Sequence, residues 1–388
     1  MKILRGNKNK IKEMINYALD QSNPKKFMQD IVHIDKNILS IKDRKINLPK
    51  YDKKILIGFG KMASSVAKEI CKIVPFDKGI VIDTKFGKIR NKNIKCLVGD
   101  HPIPSKKNIK NTDKLIDFVK DFDSNDLVVC IVSGGGSSLL FKPKISYEDY
   151  MELYNKKFLS GINIKKLNSF RERESLVKGG RLAEIIFPAM LVNIYFSDVV
   201  GGNLSIISSG PTYHKKAENI LLLDNKFFLK KMKEKAEALG LKTKIVSDRV
   251  SSDIKKFAKK IISGYYPKYD CLIWGGETNI KVNGGGKGGR NQELSLHVAK
   301  LIQNKNMTFA SFGTDGIDGM TKHAGGIVDG DTVEKINNNN VDLEKELKDN
   351  NSNFVLKKVG GLITTAETGI NLMDVAILIK GKENVSKK

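Results

Sequence analysis

Three glycine-rich segments punctuate the chain, each after a short apolar run and before a helix-length stretch. The first, Gly58-Phe59-Gly60-Lys61, follows Lys-Ile-Leu-Ile. The second, Ser133-Gly134-Gly135-Gly136-Ser137-Ser138, follows Leu-Val-Val-Cys-Ile-Val. The third, Gly284 to Gly289 interrupted by Lys287, comes soon after Cys-Leu-Ile-Trp. A β-branched run that ends in glycine and reopens as a helix is a βα unit, and several in succession give a largely parallel sheet. The loops of such units gather at the carboxyl ends of the strands, where open α/β sheets bind ligands.

The remaining pattern agrees. Ile11, Met14, Ile15 and Leu19 fall on one face of a helix over 9–20. Strands are expected at 54–58, 79–83, 94–100, 127–132 and 190–200, with helices at 62–74 and 106–121. Residues 149–187 read as helical. The pattern restarts near 226, with strands at 243–247, 269–276, 307–316 and 375–380, helices from Ser252 and Gln292, and a polar segment over 337–352. The chain is therefore expected to be α/β with two domains, divided between 225 and 245.

Composition narrows the function classes. The densest apolar stretch, 185–196, contains Pro188 and Asn193 and falls short of the roughly 18 residues a membrane span needs. The N-terminus lacks a signal-peptide core. Cys71, Cys96, Cys130 and Cys271 stand singly, as expected of reduced thiols in a cytoplasmic protein rather than a zinc or disulfide framework. The net charge is +25, yet only eight of 68 basic residues are Arg and the lysines interleave with acids. That pattern predicts a solvated surface and no nucleic-acid partner, while a positive field would steer small anions.

The loops carry the chemistry. Glycines let backbone amides approach an anion closely. Ser133 to Ser138 is a prospective oxyanion nest; the plain alternative is a turn needed for packing. No GxxxxGK[ST] occurs, which excludes a P-loop. Lys61 could meet a phosphate or carboxylate, or face solvent on a tight turn. Gly58-x-Gly60-x-x-Ala63 also matches a dinucleotide fingerprint, with Asp83 where a ribose-binding acid would sit, so a nicotinamide-dependent reductase is the rival reading. Around Gly285, Gly286, Lys287 and Gly288 a cationic flap is expected, with Arg290 as a clamp for a carboxylate or phosphate. Asp198, Glu277, Asp315 and Asp318 end strands or stand in glycine loops, where carboxylates suit Mg²⁺. His101 and His323 read as ordinary hydrogen-bonded side chains.

IGFGKMASSVA, GDHPIPS, VSGGGSSLL, SLVKGGRLAE, SDVVGGNLSIISSGPT, GGETNIKVNGGGKGGRNQELSL and FGTDGIDGMTKHAGGIVDGDT occur in that order. Together they resemble the two-domain glycerate 2-kinases whose C-terminal half is the MOFRL domain. The resemblance implies a Rossmann-like, mostly parallel domain over 1–235 and a second, smaller α/β domain over 236–388, with the active site in the cleft between them. It implies ATP-dependent phosphorylation of D-glycerate at the 2-hydroxyl, with Mg²⁺, and places the family's catalytic Lys and Arg on Lys61 and Arg290. Asp198 is then expected to orient or deprotonate the hydroxyl, with Asp198 and Asp315 as metal ligands. The nucleotide and anion contacts are expected at Gly58, Gly60, Ser133 to Ser138, Lys178, Gly285 to Gly288, Asp315 and Asp318. A homodimer is compatible with this reading. Two segments depart from the family pattern: within Arg171 to Gly179, Ser175 and Lys178-Gly179 align, and Ile370 and Met373 replace polar residues near Asp374.

Overall fold

The structure, a computed structural model, describes residues 2–159, 164–264 and 266–381. Its strands are β1 (Val32–Asp35), β2 (Ile38–Ile41), β3 (Arg44–Asn47), β4 (Lys53–Phe59), β5 (Lys78–Asp83), β6 (Ile94–Val98), β7 (Asp126–Ser133), β8 (Met190–Phe196), β9 (Glu218–Leu223), β10 (Thr243–Asp253), β11 (Cys271–Asn279), β12 (Met307–Gly313), β13 (Gly325–Asp329), β14 (Leu362–Ile363) and β15 (Asp374–Lys380). The packing forms two compact units. One comprises Asn23–Asp198 and Gly202–Leu223; the other comprises Met1–Ser22, Val199–Gly201 and Asp224–Lys388.

The first unit holds an all-parallel sheet in the order β6-β5-β4-β7-β8-β9. Numbered from β4, that is the 3-2-1-4-5-6 order of the Rossmann sheet, in which the strand order reverses between the first and fourth strands. Every residue of β7 is buried, as its unbroken β-branched run requires of a strand covered on both faces. A small antiparallel meander, β1-β2-β3, precedes the sheet. Short alternating runs joined by Lys36-Asn37, both with positive φ, carry a hairpin signal too brief to stand out beside the longer strands.

Helix over 149–187 is interrupted. The structure has helices Tyr147–Leu159, Ile164–Arg173 and Arg181–Ile186, while 160–163 lie outside the described residues. The turn at 174–180 ends on Gly179 and Gly180, with φ of +62° and +85°, a conformation that a helix cannot propagate and that side chains resist.

The second unit has a mixed sheet in the order β10-β11-β15-β12-β13-β14; only β10 and β11 pair in parallel. Its core includes Phe257, Trp274, Leu294, Phe309 and Leu378. The predicted polar segment over 337–352 is mostly short helix, Leu343–Lys348, followed by Ser352–Lys358. The N-terminal helix Lys2–Gln21 joins this unit: Ile11, Met14, Ile15 and Ala18 are buried, and Lys8 Nζ lies 2.7 Å from the Asp329 carboxylate. Leu19, expected on the buried face, is only half-buried. No helix among the described residues is long and apolar enough to cross a membrane.

Candidate active site

In the parallel sheet, the loops after β4 and β7 emerge side by side at the reversal point. The Lys61 amide donates to the Gly134 carbonyl at 2.9 Å, and the Met62 amide to Ser133 Oγ at 3.1 Å. Gly135 has φ +85°; a methyl there would stand 3.0 Å from Lys61 Cγ and 3.2 Å from His101 Cδ2. The lysine stem and the imidazole thus both lean on a bare Cα. On the other side of the loop, a methyl on Gly134 would overlap the carboxylate of Asp198, carried just past β8. Residues far apart in the chain, Lys61, His101, Gly134-Gly135 and Asp198, therefore form one centre.

Within the protein, the amides of Gly134, Gly135, Gly136 and Ser137 make no hydrogen bond among the described residues, whereas those of Ser138, Leu139 and Leu140 close onto Gly135 and Gly136 carbonyls. Four adjacent donors without acceptors form an anion nest. Its frame is fixed from several sides. Ser208 Oγ donates to the Ser133 carbonyl at 2.7 Å, and Ser137 Oγ and Ser209 Oγ are 2.9 Å apart. Ser138 Oγ donates to the Pro102 carbonyl at 2.6 Å, and Lys178 Nζ to the Ser137 carbonyl at 2.5 Å. Gly58 serves packing: it lies in β4, where a methyl would stand 3.1 Å from Ile131 Cβ.

Charge is set by burial and by Lys61. Burial, then Lys61 and Arg171, lower the His101 pKa to about 4, so the ring is neutral at pH 7. Burial raises Asp198 to about 6, against the pull of its own backbone amide and of Lys61. At pH 7 and above Asp198 is ionised yet basic enough to accept a proton. Asp83 is not available to a ribose. Its Oδ2 accepts from the Ser64 amide at 2.9 Å and Ser64 Oγ at 2.5 Å, its Oδ1 accepts from the Thr84 amide at 2.6 Å, and it is buried at the start of helix Ala63–Ile70. The acid of the dinucleotide pattern is thus a helix-capping group.

A second centre lies at the sheet edge of the other unit, where β11 and β12 end and β15 begins. Asp374 pairs in register with Gly276 on one side and Gly313 on the other. Arg290, the first residue of helix Arg290–Leu301, donates from Nε to Asp374 at 2.5 Å and from Nη2 to Asp374 and Glu277 at 3.1 and 2.9 Å. Although burial opposes the charge, Asp374 and Glu277 hold the guanidinium pKa above its ordinary value. The two Nη1 hydrogens are the donors left for a ligand. Asp318 is engaged structurally: it accepts from the amides of Asn291 and Gln292 at 3.1 and 2.8 Å and so caps this helix. Asp315 is half-buried, with Oδ1 accepting from the Ile317 amide at 3.1 Å.

The third glycine segment is stitched rather than loose. The amides of Asn283 and Gly284 donate to Asn350 Oδ1, those of Gly285 and Gly286 to Asp349, and that of Lys287 to Asn351 Oδ1. Gly288 and Gly289 are its remaining donors. The run borders a hollow of ≈ 690 Å³, lined also by Arg290, Asp315, Val282 and Met320, within the size range of small-molecule sites. No group of three or more His, Cys, Asp or Glu arranged to hold a metal occurs among the described residues. The expected ligands Asp198 and Asp315 offer one carboxylate each, a donor type that suits Mg²⁺, an ion held by one or two carboxylates plus substrate phosphates and waters.

The family model described as domain of unknown function DUF4147 matches residues 10–239, and the MOFRL family model matches 270–374. The glycerate 2-kinase of Pyrococcus horikoshii is 32% identical over 94% of this chain and 96% of its own length. The chain belongs to the glycerate 2-kinase family. The D-glycerate 2-kinase of Thermotoga maritima is 33% identical over 86% of the chain and 92% of its own length. A crystal structure of glycerate kinase from the same organism superposes with a TM-score of 0.85 at 29% identity, covering 97% of this chain and all of that one. The two family segments follow one another along the chain, whereas by packing the first helix and residues 199–201 belong with the C-terminal unit.

Three residues beside these centres were not read from sequence as site residues. His101, in Gly-Asp-His-Pro-Ile-Pro, reads as an ordinary hydrogen-bonded side chain, and Arg171 and Asp374 stand in the two segments that depart from the family pattern. The departures at Ile370 and Met373 are both buried apolar side chains here, so those positions serve the core. His323 is hydrogen-bonded to Thr364 Oγ1 at 2.8 Å, as read from sequence.

Proposed function

We propose that this protein transfers the γ-phosphoryl group of ATP to the 2-hydroxyl of D-glycerate, giving 2-phospho-D-glycerate and ADP. The supporting observation is the arrangement at the reversal point of the parallel sheet: four amides without internal acceptors, a lysine, and a carboxylate with a pKa of about 6. In this reading Asp198 accepts the proton of the 2-hydroxyl as its oxygen bonds to the γ-phosphorus and the bond to the β,γ-bridging oxygen breaks. Such a reaction depends on positioning and charge stabilisation. Lys61 supplies countercharge, and the amides of Gly134 to Ser137 take anionic oxygens. Arg290 contributes through Nη1, with Lys287 and the amide of Gly288 as further contacts to the nucleotide.

Mg²⁺ brought with the nucleotide would neutralise phosphate oxygens, with Asp198 and Asp315 as the carboxylates that would hold it. The proposal includes a shared cleft that the two domains close during turnover, excluding water from the transferring group, and a cytoplasmic setting in which the four unpaired thiols stay reduced.

The test is ADP release with D-glycerate, ATP and Mg²⁺, in the native protein and in folded Lys61→Ala and Arg290→Ala variants. Each variant should lose about 100-fold or more of turnover, the scale for removing one transition-state charge contact. Near-normal turnover in either variant removes that residue from the mechanism, and no D-glycerate-dependent ADP in the native protein removes the function.

A further inference from the structure

Lys178 is 1% exposed, the one lysine fully buried among the described residues. No carboxylate among the described residues forms an ion pair with it. Its Nζ donates to the carbonyl of Ser137 at 2.5 Å, the peptide that closes the row of open amides. The turn carrying it is fastened to the same loop by another route. Ser175 Oγ accepts from the Val177 and Lys178 amides, Gly179 donates to the Ser209 carbonyl at 3.0 Å, and Ser209 Oγ meets Ser137 Oγ. A buried ammonium without an acid is costly, and here it sits against a loop in which four adjacent amides meet no acceptor among the described residues.

We propose that Lys178 is a positioning residue: it sets the anion loop through the Ser137 carbonyl and takes up a solvent proton when an anion occupies the loop amides. Lys178 is then mostly neutral when the loop is empty and charged when it is filled. This rests on the reading above that residues 133–138 form an anion site. Burial, then Arg171, lower the Lys178 pKa to about 7, so negative charge on the loop that Nζ touches through the Ser137 carbonyl raises it toward and past pH 8. Arg171, on helix Ile164–Arg173, is the charged group that lowers it, and the Glu172 carboxylate of the same helix lies beside Gly179, the next residue of the turn. Arg171 itself is held by Tyr154 and Asn168 rather than by an acid. The other packed elements, the 133–138 loop and the Ser208-Ser209 turn, present hydroxyls and backbone. Lys61, His101 and Asp198 border the same loop; with the loop empty the pKa values of His101 and Asp198, about 4 and about 6, keep both out of titration at pH 8, and Asp198→Asn removes any proton that the anion draws onto Asp198.

The probe is sulfate, whose charge is constant in this range. Calorimetric titration of the full chain at pH 8, in two buffers of different ionisation heat, reads protons taken up per sulfate bound. The native protein should take up about half a proton. Asp198→Asn should keep that uptake, Lys178→Arg should bind sulfate with none, and Lys178→Met should bind about tenfold or more weakly, also with none. The proposal is overturned if the native protein binds no sulfate, takes up no proton, or takes up the same number as Lys178→Arg; the native measurement stands even if Lys178→Met fails to fold. D-glycerate phosphorylation is assayed on the same preparation. Product without proton uptake removes the role of Lys178 alone, and proton uptake without product removes the kinase reading alone.

Discussion

Gly135→Ala tests the geometry of the loop most sharply. Gly135 has φ +85°, and an added methyl would stand 3.0 Å from Lys61 Cγ and 3.2 to 3.3 Å from the His101 ring. Placing a side chain in the left-handed region costs roughly 1–2 kcal/mol. For a domain of this size each kcal/mol lowers Tm by about 2–4 °C, so a fall of about 2–8 °C is expected. The effect on turnover should exceed the effect on stability, because both neighbours that must yield are groups of the centre. A displacement of about 1 Å in a reacting group costs on the order of 100-fold. Gly285→Ala is the internal control. It has no neighbour within 4 Å of the added methyl and no left-handed φ, so its Tm should stay within about 1 °C of the native value. Thermal melts and D-glycerate-dependent ADP release measure the two quantities. Gly135→Ala with kcat/KM within twofold of native would show that Lys61 and His101 are not held by this contact in any way that matters to chemistry.

Other outcomes follow from the same structure. The kcat/KM of the native protein should fall as pH drops through about 6, because Asp198 must be ionised to accept a proton and its pKa is raised to that value; a pH profile flat down to 5 contradicts the assignment. Asp318→Ala removes the acceptor of the Asn291 and Gln292 amides and should destabilise by about 1–3 kcal/mol in denaturant unfolding. Lys178→Met should be at least as stable as the native protein at pH 7 and far less active. The folded-state pKa of Lys178 is lowered from 10.5 to about 7, so its penalty is full below about pH 7, on the order of 5 kcal/mol, and fades as pH rises toward 10.5. The stability gap between variant and native should therefore shrink on going from pH 7 to 10, and a constant gap refutes the buried-charge argument.

Much of this was legible because strand and glycine signals coincide. β4, β5, β7, β8, β12 and β15 were all anticipated, since unbroken β-branched runs are a strong local signal, and the two loops that meet at the reversal point were named by position. What sequence could not supply was bonding. Asp83 reads as a ribose acid and is instead tied to Ser64; the third glycine segment reads as a flap and is instead stitched to 349–351; Asp318 reads as a ligand contact and caps a helix. Each is a polar group whose partner lies far along the chain or in the next turn, and no periodicity encodes that choice. His101 was passed over for a related reason. A lone histidine carries no pattern, and its significance comes from standing against Gly135 beside Lys61.

The most direct test of the kinase account is the phosphorus NMR spectrum, recorded with proton coupling, of the product formed from ATP, Mg²⁺ and D-glycerate. Transfer to the 2-hydroxyl places phosphorus beside a single carbon-bound proton, so the new ester signal should be a doublet. A triplet, from phosphorus beside the methylene of the 3-hydroxyl, or the absence of any new ester signal, would contradict it.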